Sequence, residues 1–108
     1  MDAVKEDVKL LVQKELESAN KKFPMFYSDH EGYAVLKEEV EEAEEDLIRT
    51  KDQVASLWRF TKKNLNKPKE LAAESIKESA IELAVEAVQV AAMAQKFIDS
   101  RREANKTT

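Results

Sequence analysis

The chain of 108 residues contains no cysteine, one glycine and two prolines. Without cysteine it can form neither a disulfide nor a zinc or iron–sulfur site with thiolate ligands. Because glycine and proline are the residues that most often end a helix, their scarcity favours long helices and argues against β structure. The length predicts a single domain, residues 1–108, whose core is modest unless the protein oligomerises.

The sequence also lacks a long apolar run and an excess of positive charge. No segment has the length and hydropathy of a membrane span or of a signal peptide, so we expect a soluble, cytoplasmic protein with no membrane partner. The formal net charge of −4 has the wrong sign for a general nucleic-acid binder. An anionic substrate is still compatible with this charge if cations bridge the contact.

Apolar periodicity predicts three helices. The first spans roughly residues 2–21 and ends before Pro24, which cannot continue a helix. Ser28 and Glu31 have the spacing of a capping box, so the second helix should begin at about Asp29. It should run to about residue 64, although a break near residues 49–53 is possible because the seam is polar there.

Heptad spacing marks one face of the second helix and one face of a third helix that Asn66 would cap. The two seams consist of Leu36, Val40, Ala43, Leu47, Thr50, Val54, Leu57 and Thr61, and of Ile76, Ala80, Leu83, Ala87, Val90, Ala94 and Phe97. Residues 80–98 are apolar on almost every side, which is typical of a helix in a bundle centre or a dimer interface. The polar tail, about residues 100–108, should fray.

These features predict an all-α protein, an antiparallel helical bundle built on a long helical hairpin. One short chain covers such long helices poorly. We therefore expect a homo-oligomer, either a dimer or a dimer of dimers, in which the third helix lies in the interface.

Acidic side chains lie beside both seams. Glu39, Glu42 and Asp46 share a stripe on the second helix, and Glu82, Glu86, Gln89 and Met93 share one on the third. If the turn centres near residues 65–66, Glu42 faces Gln89 and Asp46 faces Glu86 within about a turn. Carboxylates that converge in this way repel one another unless a cation or a proton lies between them. A ligand set made only of oxygen suits Mg²⁺ first and Mn²⁺ second. The competing interpretation is an ordinary solvated acidic face.

The sequence resembles the all-α nucleotide pyrophosphohydrolases of the MazG-like superfamily, and in particular its small phage and bacterial members. The family's E-E-x-x-E motif corresponds to residues 38–42, EEVEE, and its E-x-x-D motif to residues 86–89, EAVQ, where Gln89 replaces the final Asp. The segments FPMFYSDHEGYAVLKEE and EAVQVAAMAQKF carry the rest of the resemblance, which covers most of residues 20–99. The stretch between the two motifs is longer than usual for the family.

The resemblance implies a hydrolase that requires Mg²⁺ and cleaves a nucleoside triphosphate to the monophosphate and pyrophosphate. It implies metal ligation by Glu39, Glu42 and Glu86, with Asp46 and Gln89 nearby. Glu38 or Glu82 would orient or deprotonate the attacking water. Lys96 continues the stripe of Glu82 and Met93 by one turn and would contact phosphate, unless it is a surface lysine whose ammonium reaches water.

Two other classes of protein fit the same pattern. One is a helical oligomer that keeps the bundle but has lost turnover and acts through protein interactions, which the glutamine at position 89 favours. The other is a plain coiled-coil scaffold. The scaffold is the weaker alternative because it gives Glu86 and Gln89 no reason to interrupt the most apolar helix.

Overall fold

The computed structural model describes residues 2–106, and over this range it contains three helices and no strand. The helices are α1 (Asp2–Lys22), α2 (Asp29–Lys62) and α3 (Asn66–Lys106). The all-α prediction is confirmed, and α2 is continuous through residues 49–53. Helix α3 continues through the polar segment to Lys106, while residues 107–108 of the expected tail lie outside the described residues. No described helix has a stretch long and apolar enough to cross a membrane.

The chain divides into two compact units. The first contains Met1–Val40 and Glu86–Thr108, and the second contains Glu41–Val85. Each unit therefore combines a part of α2 with a part of α3, and α1 belongs to the first.

Close packing in the first unit centres on the start of α2. Leu16 and Ala92 are buried, and so is Gly32. A methyl group at position 32 would lie 2.5 Å from Cδ2 of Phe97 and 3.0 Å from Cδ2 of Phe26. The chain's one glycine thus lets two phenylalanine rings approach the backbone of α2, which a larger side chain would prevent.

Hydrogen bonds tie the segment between α1 and α2 to the end of α3. The backbone N–H of Phe26 donates to Oγ of Ser100 at 3.0 Å. Arg101 donates to Asp29 at 3.2 Å, and the Ser28 hydroxyl accepts from the N–H of Glu31 at 3.2 Å, as the capping box predicts. These contacts fix the position of Phe26 relative to α3.

The second unit joins its two helical parts through a tight turn. The N–H of Leu65 donates to the carbonyl of Phe60, and the N–H of Asn64 donates to that of Thr61. Together with a φ of 52° at Asn64, these bonds form a Schellman motif, in which asparagine tolerates the left-handed conformation. The turn is therefore centred on Asn64, before the predicted position.

Only alternate positions of the predicted seam on α2 are covered. Leu36, Ala43, Thr50 and Leu57 are half-buried, whereas Val40, Leu47, Val54 and Thr61 are exposed. Residues in these two groups alternate along the helix, so the side of the seam formed by the second group is not covered by any of residues 2–106.

Candidate functional site

Two carboxylates of the first unit meet beside the predicted seams. Glu39 and Glu86 each bring one carboxylate oxygen within 4.8 Å of the other. Glu39 and Glu42 are neighbours on α2 because they are separated by one helical turn, and Glu86 extends from α3. The predicted convergence of all three acids, Glu39, Glu42 and Glu86, stays a prediction.

Gln89 bridges two of these carboxylates. With its amide oriented to satisfy both groups, Nε2 donates to Oε2 of Glu39 at 2.9 Å and to Oε2 of Glu86 at 3.1 Å. The sequence predicted that Gln89 faces Glu42, which lies one turn further along α2; the two hydrogen bonds of its amide are with Glu39 and Glu86.

A cavity of about 420 Å³ opens beside this cluster in the first unit. Its apolar lining consists of Ala19, Phe23, Pro24, Phe26, Val35 and Met93. Its polar lining consists of Glu15, Glu31, Glu39, Gln89 and Lys96. A mainly apolar cavity with a few polar groups is the usual form of a small-molecule site.

Lys96 is the most deeply buried charged residue of this lining, with 2% of its surface exposed. Its Nζ lies 5.1 Å from the centre of the Phe26 ring, a cation–π contact. Over residues 2–106 no carboxylate lies within ion-pairing distance of it. The alternative of a surface lysine is therefore wrong. A buried ammonium with no anionic partner is costly unless an anion binds beside it.

The donor set of the cluster fits a hard divalent cation. The carboxylates of Glu39 and Glu86 offer oxygen ligands, and the amide of Gln89 has an oxygen that could be turned towards an ion, which is the chemistry that Mg²⁺ and Mn²⁺ prefer in proteins. Part of this set, Glu39 and Gln89, also lines the cavity that contains the Lys96 side chain. A cation site and a buried positive charge thus border the same space.

Three of the predicted site residues lie elsewhere. Glu38 and Glu82 are exposed and do not line the cavity. Asp46 forms an ion pair of 2.6 Å with Arg49, and its side chain is 14% exposed. Its carboxylate therefore has a cationic partner on its own helix. The roles predicted for these residues stay predictions that the geometry of the cavity does not support.

Two acidic side chains of the cavity were not predicted as site residues. Glu15 lies on α1 next to the buried Leu16, and Glu31 was interpreted only as part of the capping box. The sequence did contain one sign of Glu15, because this acid is adjacent to the apolar stripe of α1. The connection of Phe26 with Lys96 had no sequence signal, because it depends on how residues 23–28 fold against α3.

Comparisons with protein-family models, with curated proteins and with solved structures find no match for this chain. The MazG-like resemblance therefore rests on the motif residues, and it stays a prediction.

Proposed function

We propose that this chain is a Mg²⁺-dependent nucleoside triphosphate pyrophosphohydrolase, which converts an NTP or dNTP to the monophosphate and pyrophosphate. One observation carries the proposal: a single cavity is lined both by Glu39 and Gln89, whose side chains contain oxygen atoms that can bind a cation, and by Lys96, which is buried. A polyphosphate that carries a divalent cation presents a positive charge to the first group and negative charges to the second.

The proposed ligands of the ion are Glu39, Glu42 and Glu86, with the amide oxygen of Gln89 as a fourth. Bound there, Mg²⁺ or Mn²⁺ would polarise phosphate oxygens and offset the negative charge that develops during hydrolysis. Asp46 has no place in this set because Arg49 is its partner.

The rest of the cavity holds the substrate. Lys96 neutralises phosphate charge from within the protein, where an ion pair is weakened less by water than at the surface. The apolar side chains of Phe23, Pro24 and Met93 offer a wall for the base and sugar. The cation–π contact with Phe26 holds the ammonium in place when no substrate is bound.

Hydrolysis requires a water oxygen to bond to the α-phosphorus while the bond from that phosphorus to the bridging oxygen breaks. The pyrophosphate leaves with the bridging oxygen, and a carboxylate accepts the proton of the water. Glu15, Glu31 and Glu39 line the cavity, whereas Glu38 and Glu82 do not. In this proposal the proton therefore goes to one of the lining carboxylates.

The proposal includes the antiparallel hairpin and a homodimer in which a second copy covers the second unit. In residues 41–85 only Ala72 is a buried hydrophobic residue. Eight large apolar side chains of the same unit are exposed: Leu47, Ile48, Val54, Trp58, Leu65, Leu71, Ile81 and Val85. Two helical segments with so much apolar surface are stable when two more helices pack against them.

A helical interaction protein without turnover is the second candidate. The hydrogen bonds from Gln89 to Glu39 and Glu86 favour it, because they offset the repulsion within the cluster without any ion. Such a protein would keep the bundle and the dimer but would not bind Mg²⁺ at the cluster.

The deciding experiment incubates the purified protein with a panel of NTPs and dNTPs, in Mg²⁺ or in Mn²⁺, and measures pyrophosphate. We expect release that requires the metal and that Glu86→Gln lowers by at least about a hundredfold. The matched control is Glu78→Gln on the same helix, an exposed acid outside the cavity, which should leave the rate unchanged. Absence of pyrophosphate with every nucleotide and both metals would favour the interaction protein.

A further inference from the structure

Gln89 occupies the position from which a cation would relieve the repulsion between Glu39 and Glu86. Its amide nitrogen has two hydrogens, and it donates to one oxygen of each carboxylate, at 2.9 Å and 3.1 Å. Hydrogen bonds to ionised acceptors are stronger than those between neutral groups. The amide therefore acts as an internal substitute for the ion.

The same two distances match the spacing of ligands around Mg²⁺. Oxygen ligands lie about 2.1 Å from Mg²⁺ in an octahedral arrangement, so neighbouring ligands are about 3.0 Å apart. Around Ca²⁺, with longer bonds, neighbouring ligands in the same arrangement would be about 3.3–3.7 Å apart. The terminal amide atom of Gln89 lies at ordinary hydrogen-bond distances from both carboxylates, and the same distances are compatible with neighbouring ligands of Mg²⁺. A half-turn about the last side-chain bond would place oxygen there without moving either helix.

Evidence for a ligand comes from outside the cluster as well. Lys96 lines the same cavity and is 2% exposed, with an aromatic ring as its contact and no anion beside it in residues 2–106. A buried ammonium of this kind indicates that an anionic ligand enters the cavity. An anion that brings its own divalent cation would place that cation at the oxygen ligands of Glu39 and Gln89.

We propose that Gln89 is a metal-linked switch: its amide nitrogen bridges Glu39 and Glu86 when no ion is bound, and its amide oxygen becomes a ligand when Mg²⁺ binds. This inference rests on the proposed function, since it requires a divalent ion at the cluster. Its consequence is that the metal-free cluster is ordered and stable, while the ion binds more weakly than it would to a fourth carboxylate.

The first measurement uses the metal-free protein. Gln89→Met keeps the length of the side chain but removes both donors, and Gln89→Glu replaces them with a further negative charge. We expect both variants to melt about 5 °C or more below the wild type, with the glutamate variant lower. The control is Gln95→Met on the same helix. The amide of Gln95 donates a hydrogen bond of 2.9 Å to Asp99 and does not contact the cluster. If neither Gln89 variant melts below this control, the bridge does not exist.

The second measurement titrates Mg²⁺ alone into each protein by calorimetry. We expect Gln89→Glu to bind at least about tenfold more tightly than the wild type and Gln89→Met at least about tenfold more weakly, with Gln95→Met unchanged. In ¹⁵N-labelled wild type, the side-chain amide signals of Gln89, identified by their loss in Gln89→Met, should shift as Mg²⁺ saturates. If the wild type binds Mg²⁺ and Gln89→Met binds it with the same affinity, the switch is overturned but the proposed function stands. No Mg²⁺ binding by the wild type would overturn both.

Discussion

The chemistry of single residues is clearest at Lys96. Its ammonium is buried against the Phe26 ring, and a cation–π contact supplies only about 1–2 kcal/mol. Removing an ammonium from water costs several kcal/mol, so the contact does not offset the burial. A residue that destabilises the fold in this way is better explained by ligand binding than by packing.

Replacing Lys96 with methionine separates these two effects. We expect Lys96→Met to raise the melting temperature, because the desolvation cost disappears and the aliphatic volume is kept. We also expect its affinity for pyrophosphate to fall by at least about tenfold, since a charged partner is lost. Thermal unfolding and calorimetry measure the two quantities, with Lys77→Met on the exposed face of α3 as the control. A lower melting temperature with unchanged pyrophosphate binding would assign the ammonium to the fold instead.

The acidic cluster gives a second test at the scale of residues. At a Mg²⁺ concentration a hundred times its dissociation constant, binding to the native state adds about 2.7 kcal/mol to the free energy of unfolding. For a domain of this size that corresponds to a rise of about 10 °C or more. Glu39→Gln and Glu86→Gln should abolish most of this rise.

The matched controls for the cluster are Glu45→Gln on α2 and Glu78→Gln on α3, both exposed acids. They should keep the full response to Mg²⁺. Because each control removes one charge from the same helix, an equal response in all four variants would mean that the acids of α2 are a solvated face.

At the scale of helices, sequence patterns predicted the helix starts, because these depend on local capping and proline signals. Proline and capping signals placed the start of α2 at Asp29, and Asn66 begins α3, as the heptads and caps indicated. The turn was harder because residues 64–66 read Asn-Leu-Asn, and either asparagine can end a helix. The burial of Lys96 depends on the fold of residues 23–28, for which no periodic pattern exists.

The packing of α2 at Gly32 supplies the test at this scale. Alanine has the higher helix propensity by about 1 kcal/mol, so a loosely packed site would be stabilised by Gly32→Ala. Here the new methyl group would lie 2.5 Å from the Phe97 ring, and overpacking typically costs about 1–3 kcal/mol. We expect a net loss of about 1 kcal/mol in the free energy of unfolding, measured by denaturant titration.

A double variant identifies the cause of that loss. Phe97→Leu removes the ring atoms that the methyl group would meet, so Gly32→Ala should be neutral or stabilising in its presence. If the alanine is as destabilising with leucine at position 97 as with phenylalanine, the loss does not come from this contact.

At the scale of the whole molecule, the main feature is the large number of apolar side chains that are exposed to solvent. The sequence expected the third helix to form the dimer interface because residues 80–98 are apolar almost all round. In the second unit the exposed apolar side chains lie on both helices, with Leu47 and Val54 on α2 and Ile81 and Val85 on α3. We therefore expect both helices of this unit to contact the second copy.

Sedimentation at micromolar concentration tests this dimer. We expect the wild type to sediment as a dimer, and we expect Leu47→Glu, Val54→Glu and Val85→Glu each to dissociate it, because a buried carboxylate in an apolar interface lacks a partner. Leu10→Glu is the control, since Leu10 is 69% exposed and belongs to the first unit. If only the α3 variant dissociates the dimer, the interface is the one expected from the sequence. A folded wild-type monomer would overturn the homodimer.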